Sequence, residues 1–174
     1  SGDREGRVLA VEEDGVRFRS YVDGSERFLG PETSMQVQAA RASKTALEIR
    51  GGGTKSFYGE PPVGQPLDIT RLLGISSYEP TELVVTVRAG TLLSELEAVL
   101  AERGQCLPFE PPHFGGGATV GGMVAAGLSG PARASAGAVR DYVLGMTLVD
   151  GRGELLTFGG QVMKNVAGYD VSRL

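Results

Sequence analysis

The chain has 174 residues, 41% hydrophobic and 22% charged, with 17 Lys and Arg against 21 Asp and Glu and a formal net charge of −4. That length can bury a core as one domain or two small lobes, and the lack of a basic excess argues against nucleic acid or an anionic membrane surface as partner. One cysteine, Cys106, and one histidine, His113, exclude an internal disulfide, an iron–sulfur centre on this chain's own cysteines and a His-based metal cluster, so no metal site is expected.

The start, Ser1-Gly2-Asp3-Arg4-Glu5, is charged and leads into no apolar run, so no signal peptide is expected. Residues 6–30 read as a short antiparallel β meander: Val8–Val11, Val16–Arg19 and Tyr21–Val22 are strand candidates, and Asp14-Gly15 and Asp23-Gly24 are turn pairs. Ser34, after Pro31, is expected to cap a weak helix over 35–43. Ala46–Arg50 reads as a strand running into Gly51-Gly52-Gly53-Thr54-Lys55. Leu67–Ile69 is a second short strand, and Leu83–Arg88 is a stronger, β-branched one.

The clearest helix begins after Gly90-Thr91: Leu92, Leu93, Leu96, Val99 and Leu100 recur at helical spacing, and Gly104 stands at the C′ position. A glycine-rich stretch follows, with seven glycines in the sixteen residues 115–130, and should enter a short helix at 120–127. Residues 111–132 carry no charge, but so few large apolar side chains do not make a transmembrane span. Tyr142–Val149 and Glu154–Phe158 form a hairpin around Asp150-Gly151-Arg152-Gly153.

Glycine is the compositional outlier, 27 residues where average usage of about 7% would give half as many, and the glycine clusters carry the chemistry. In Arg50-Gly51-Gly52-Gly53-Thr54-Lys55 a strand opens into bare backbone whose N–H groups can nest phosphate oxygens, with Thr54 and Lys55 as further donors; the alternative is a flexible strand-to-loop turn. The P-loop pattern fails by one residue, since Thr54 separates Gly53 from Lys55-Ser56, and G-x-G-x-x-G fails at Ser56 and at Val120. In the second cluster Thr119 is a candidate N-cap, and a helix starting there would aim free N–H groups at an anion; the alternative is tight packing of a short buried helix. A valine at Gly121 or Gly122 should then abolish ligand binding and spare the fold, whereas under the packing alternative it should damage the fold. Together the two clusters suit a ligand of dinucleotide size.

Nucleophilic catalysis has little support. Ser129 does not lie in G-x-S-x-G, and Cys106 beside Leu107 reads as a buried thiol. His113 is first a core or loop histidine, then a flavin contact or a base. Arg140-Asp141 is either a loop-orienting surface pair or an ion pair near a ligand. No catalytic residue is assigned.

Several segments in order resemble a known family. Arg50–Thr54, Thr86–Thr91 and Ala118–Ala125 resemble the FAD-binding domain of the vanillyl-alcohol oxidase / p-cresol methylhydroxylase family. More narrowly, Leu107–Phe114, Gly121–Ala125, Val139–Gly145 and Val162–Asp170 resemble the FAD-binding subunit of bacterial glycolate oxidase, and the likeness covers roughly residues 34–174. It implies an α+β fold with two subdomains clasping an extended FAD, here 34–90 and 91–174, behind an unassigned segment 1–33. It also implies a cofactor site in which Gly51, Gly52, Gly53 and Thr54 hold the pyrophosphate, with Arg50 and Lys55 as further cofactor-binding residues. Ala118, Thr119, Gly121, Gly122 and Ala125 would lie along the ribityl and pyrophosphate portion, Pro112 and His113 would also bind the cofactor, and Gly127, Ser129, Gly130, Arg140 and Asp141 would lie near the isoalloxazine. The implied function is that of a glycolate oxidase-type 2-hydroxy-acid dehydrogenase, with FAD accepting a hydride and passing electrons on; the FAD is expected to be non-covalent, since His113 is the only histidine, with no sign of activation, and a cysteinyl link would have to use Cys106. The implied partners are a catalytic flavoprotein subunit and an iron–sulfur subunit, and the implied location is cytoplasmic, peripheral to the inner membrane through those partners. A non-catalytic assembly subunit without flavin is the alternative, and a non-flavin nucleotide-binding module is a third option. Because the family chain continues into a cap domain, a piece ending at Leu174 is expected to turn over neither glycolate nor lactate.

Overall fold

The computed structural model describes residues 17–18, 29–61 and 63–159. In chain order the elements are β1 (Arg17–Phe18), α1 (Leu29–Ser43), β2 (Leu47–Arg50), β3 (Gln65–Asp68), β4 (Ile75–Glu79), β5 (Val84–Val87), α2 (Leu93–Ala101), α3 (Val120–Ala126), α4 (Arg133–Ala136), β6 (Gly145–Val149) and β7 (Leu155–Gly159). Single 3-10 turns occupy Pro80–Glu82 and Val139–Tyr142. Helices and sheets are interleaved, the α+β arrangement expected.

Among the described residues three small sheets form. The first has the order β1-β5-β4, with β1 parallel and β4 antiparallel to β5. The second is the parallel pair β2-β3, and the third is the antiparallel hairpin β6-β7. Parallel strands need a crossover of about a dozen residues or more. Between β2 and β3 that crossover is residues 51–64, the first glycine cluster, so the sheet geometry itself holds this loop at one sheet end.

The core gathers Val85 and Val87 of β5, Leu93, Leu96 and Leu100 of α2, Leu107, Phe109, Ala118, Val120 and Met123, and Val139 and Val143. The three α2 leucines are fully buried along one stripe, as the helical spacing requires. Leu92, counted in the sequence pattern, is instead the N-cap and is 38% exposed. Past α2, Gly104 takes a φ of 67°, its N–H reaches Ala101 O, and the N–H of Gln105 reaches Leu100 O. That is the glycine-terminated C-cap expected there. Phe109 stacks on Tyr142 at 5.4 Å, joining the loop after α2 to the turn before β6. One core thus holds residues on both sides of position 90.

Some expectations are revised. Of the N-terminal meander only Arg17–Phe18 is described, and it pairs parallel with β5; the other strand candidates and both Asp-Gly turns lie outside the described residues. Helix α1 starts at Leu29, with Pro31 in its first turn, where a missing N–H costs nothing. Ser34 is therefore inside the helix, and its hydroxyl donates to Gly153 O in the β6-β7 turn. Gln38 Nε2 donates to the same oxygen at 3.3 Å. Cys106 is exposed, not buried. The chain is extended there, so buried Leu107 and Phe109 alternate with outward neighbours, and Cys106 falls on the outer face. Strand β4, rich in Ser and ending in Glu, has little strand signature; it forms through its pairing with β5 across an irregularity between Ile75 and Ser77.

Candidate functional site

The two glycine clusters, far apart in sequence, lie against each other as antiparallel loops. A Cβ at Gly51 would stand 2.7 Å from Thr119 Oγ1, one at Gly52 would overlap the carbonyl oxygen of Gly117, and ones at Gly117 and Gly115 would each lie 3.7 Å from Thr54 Cγ2. Beyond them the Phe57 and Phe114 rings meet edge to face at 5.0 Å, and Lys55 Nζ stands 5.9 Å from the Phe114 ring centre. Advancing along residues 51–57 thus means retreating along 119–114. Only glycine at 52 lets the two backbones come this close.

Among the described residues the amides of Gly51 to Lys55, and of Gly115 to Ala118, make no backbone hydrogen bond. Gly53 has a φ of 67° with nothing within 4 Å of where a Cβ would be, a left-handed residue of the kind found in anion-binding backbone nests. Lys55 sits beside this row, and burial holds its pKa below the ordinary lysine value. A partly desolvated ammonium next to amides that make no backbone hydrogen bond among the described residues is chemistry able to receive an anion.

The other expected residues are placed differently. Thr119 is the N-cap of α3, as its sequence position suggested, and its Oγ1 accepts from the Gly122 amide at 3.1 Å. The helix does not aim free amides at an anion, however. Val120 N–H donates to Thr91 O, Gly121 N–H to Ala89 O at 2.7 Å, and Met123 N–H to Thr119 O, so the first turn is satisfied within the protein. Gly121 is a packing glycine: its Cβ would stand 2.8 Å from Ala89 Cβ and 2.9 Å from Ala89 O. At Gly122 the nearest atom is Thr119 Oγ1 at 3.0 Å. Ala118 is buried and accepts from Leu93 N–H, and Ala125 is exposed.

Gly127 ends α3 in the left-handed conformation. Ser129 is buried, donates to Gly127 O at 3.1 Å and accepts from Val139 N–H at 3.0 Å, so its hydroxyl ties two loops together. Gly130 has a φ of 72° and leaves no room for a Cβ against Glu110 O, and Glu110 in turn accepts from Ala132 N–H. Asp141 caps the following 3-10 turn through Ala138 N–H at 2.7 Å, and Arg140 is exposed. Pro112 is half-buried, and His113 Nε2 meets Glu97 Oε1 of α2 at 3.1 Å with both side chains partly exposed, a loop-to-helix tether. Arg50 pairs with Glu48 at 2.8 Å on the surface. No group of three or more His, Cys, Asp and Glu among the described residues could hold a metal, and no helix among them is long and apolar enough to cross a membrane.

The structure thus unites Gly51, Gly52, Gly53, Thr54, Lys55 and Thr119 at one seam and sets Ser129, Gly130 and Asp141 in a separate load of loop-to-loop bonding. Sequence reasoning did not single out Phe57, and it left Gly117 and Phe114 out of the cofactor site although both lie in the second glycine-rich motif. The signal available was an aromatic residue flanking each glycine run.

Comparison with known proteins bears on the family and the fold. A family model described as FAD binding domain matches residues 31–159. Glycolate oxidase subunit GlcE of Escherichia coli (strain K12) is 56% identical over 139 residues, 80% of this chain and 40% of that protein. D-lactate dehydrogenase of Anaerostipes hadrus is 33% identical over 71% of this chain and 25% of its own length. The chain therefore spans less than half of these curated relatives. Among solved structures, xylooligosaccharide oxidase from Myceliophthora thermophila C1 superposes with a TM-score of 0.62 at 20% identity, over 87% of this chain and 32% of that one. An alkyldihydroxyacetonephosphate synthase superposes with a TM-score of 0.62 at 22% identity, over 81% of this chain and 26% of that one. Such identities show a shared fold.

Proposed function

The chain belongs to the FAD binding domain family, and on that premise we propose that it is the FAD-holding part of a glycolate oxidase-type 2-hydroxy-acid dehydrogenase. The observation that carries the proposal is the seam between residues 51–55 and 115–119, where two glycine loops meet and, among the described residues, the amides of Gly51–Lys55 and Gly115–Ala118 make no backbone hydrogen bond beside Lys55. The extended shape of that seam supports a pyrophosphate-linked ligand, FAD rather than FMN. When bound, FAD supplies a two-electron acceptor for the hydride of a small 2-hydroxy acid, with electrons leaving toward an iron–sulfur partner subunit. This chain's own residues bind and orient: the 51–55 amides and Lys55 hold the anionic bridge, and Thr119, anchored as the α3 N-cap, sets the opposite wall. The roles of Pro112, His113, Ala125, Arg140 and Asp141 around the cofactor, and the division into 34–90 and 91–174, are parts of the same proposal. So are a catalytic flavoprotein subunit as a further partner and a location peripheral to the inner membrane.

Calorimetric titration of the full chain with FAD, FMN and NAD tests it. FAD should bind tightest; tighter FMN binding would sink the pyrophosphate assignment. The cofactor is non-covalent in this reading, because His113 is tethered to Glu97 and Cys106 lies on the outer face. Acid precipitation should leave the yellow colour in the supernatant, and colour in the pellet would refute a non-covalent site.

A second reading, a non-catalytic assembly subunit without flavin, draws on one observation. The α3 amides and Ser129, both expected to serve the cofactor, are already engaged within the protein. A purified full chain with no flavin absorbance and no FAD binding would favour it.

A further inference from the structure

Helix α1 and the β6-β7 turn meet through residues that the glycine seam does not use. At Gly153 the contact is flush. A Cβ there would stand 2.5 Å from Gln38 Cγ and 2.7 Å from Ser34 O. The Ser34 hydroxyl and the Gln38 side-chain amide both donate to Gly153 O. One helical turn further on the two elements part, and a cleft of about 330 Å³ opens, lined by Gln38, Arg41 and Ala42 of α1 and by Arg152 of the turn. Positions 38, 41 and 42 share a helix face, as i, i+3 and i+4 must.

This lining carries two positive charges and no negative one, in a chain whose formal net charge is −4. Among the described residues neither guanidinium makes a hydrogen bond or an ion pair. The Asp150 carboxyl feels both charges, after the Glu154 amide that chiefly lowers its pKa. Its Oδ1, however, already accepts from the amides of Arg152 and Glu154. Two guanidinium groups that line one space repel each other unless an anion lies between them, and their planar forks match the oxygens of a carboxylate or a phosphate. Gln38 spends one N–H on Gly153 O, and its second can donate to the same anion.

We propose that this cleft binds a small dianionic oxyanion, a dicarboxylate or a phosphate, between Arg41 and Arg152. The close contact at Gly153 fixes the spacing of the two walls, so the site exists before its ligand arrives. It is independent of the FAD reading, because no residue of the glycine seam takes part.

Calorimetric titration of the full chain with malonate, inorganic phosphate and acetate tests the site and tells the two kinds of ligand apart. One of the two dianions should bind saturably at one site per chain. Acetate, which can meet one guanidinium at a time, should bind at least about 10-fold more weakly, since each charged hydrogen-bonding partner is worth that much. Arg41→Gln together with Arg152→Gln should weaken the dianion at least about 10-fold for the same reason. Both side chains are exposed, so the unliganded melting temperature of that variant should hold, and so should its affinity for FAD. Absence of saturable binding of either dianion by the wild-type chain overturns the proposal. So do equal affinities for acetate and malonate, which would show that the two guanidinium groups do not act together. Undiminished dianion binding in the double variant, or a loss of FAD affinity in step with it, would place the anion at the glycine seam instead and overturn the cleft.

Discussion

At single residues, the glycines divide by what surrounds their Cα atoms. Gly52 is bare so that it can meet Gly117, Gly121 is bare so that it can meet Ala89, and Gly122 has only the Thr119 hydroxyl near it. Valine at Gly121 must displace backbone, and overpacking of that kind costs about 1–3 kcal/mol. Gly121→Val should lower the melting temperature of the unliganded protein by several degrees, and Gly122→Val should lower it less. Equal losses would mean that the Ala89 contact is not what limits position 121. Gly52→Ala should separate the loops, so FAD titration of that variant should show at least a tenfold loss, on the order of 1.4 kcal/mol, with a smaller effect on the melt than Gly121→Val.

Among the elements, α2 carries the largest share of the core. Leu96 is fully buried on its inner face, and truncating such a leucine costs roughly 2–5 kcal/mol through lost burial and the cavity left behind. Leu96→Ala should therefore destabilise the chain far more than Leu92→Ala, by denaturant melts of the two variants; equal midpoints would contradict the stripe. The β6-β7 hairpin has a titratable anchor. Asp150 accepts from the amides of Glu154 and Arg152 at 2.9 and 2.8 Å, and these bonds hold its pKa below the ordinary 3.8. A carboxyl with a lowered folded-state pKa lends stability that is complete above the ordinary value and is lost as pH falls through the lowered one. Acid melts should show that loss only below about pH 4, and Asp150→Asn should remove it; the same acid slope in wild type and variant would rule the anchor out. Near neutrality the variant should show little pH dependence at this turn.

The whole molecule ties its two glycine loops to a common core: β2 and β3 hold one, and the Thr91–Val120 and Leu93–Ala118 backbone bonds hold the other. A ligand clasped between them stabilises both. At 100 times its dissociation constant FAD should add about 2.7 kcal/mol, which for a chain of this size is a rise in melting temperature of roughly 5–10 °C. Scanning calorimetry with and without FAD measures it, and no rise at saturating FAD would remove the clasp from consideration.

Much of the local structure was legible in the chain because its causes are local. The leucine spacing of α2, Gly104 in its C-cap, Thr119 before α3, β-branched β5 and the Asp150-Gly151-Arg152-Gly153 turn each act within a few neighbouring residues. The glycine clusters could likewise be recognised as close-approach backbone, and the order of the motifs pointed to the FAD binding domain family. Tertiary structure alone decided which partner each glycine approaches, that the α3 amides and Ser129 are engaged inside the protein, that Cys106 faces outward, and that serine-rich β4 is a strand. Those outcomes depend on pairing between segments distant in sequence, where a hydrogen bond or a missing Cβ takes its meaning from the atom opposite, and that atom is set by the packing of the core.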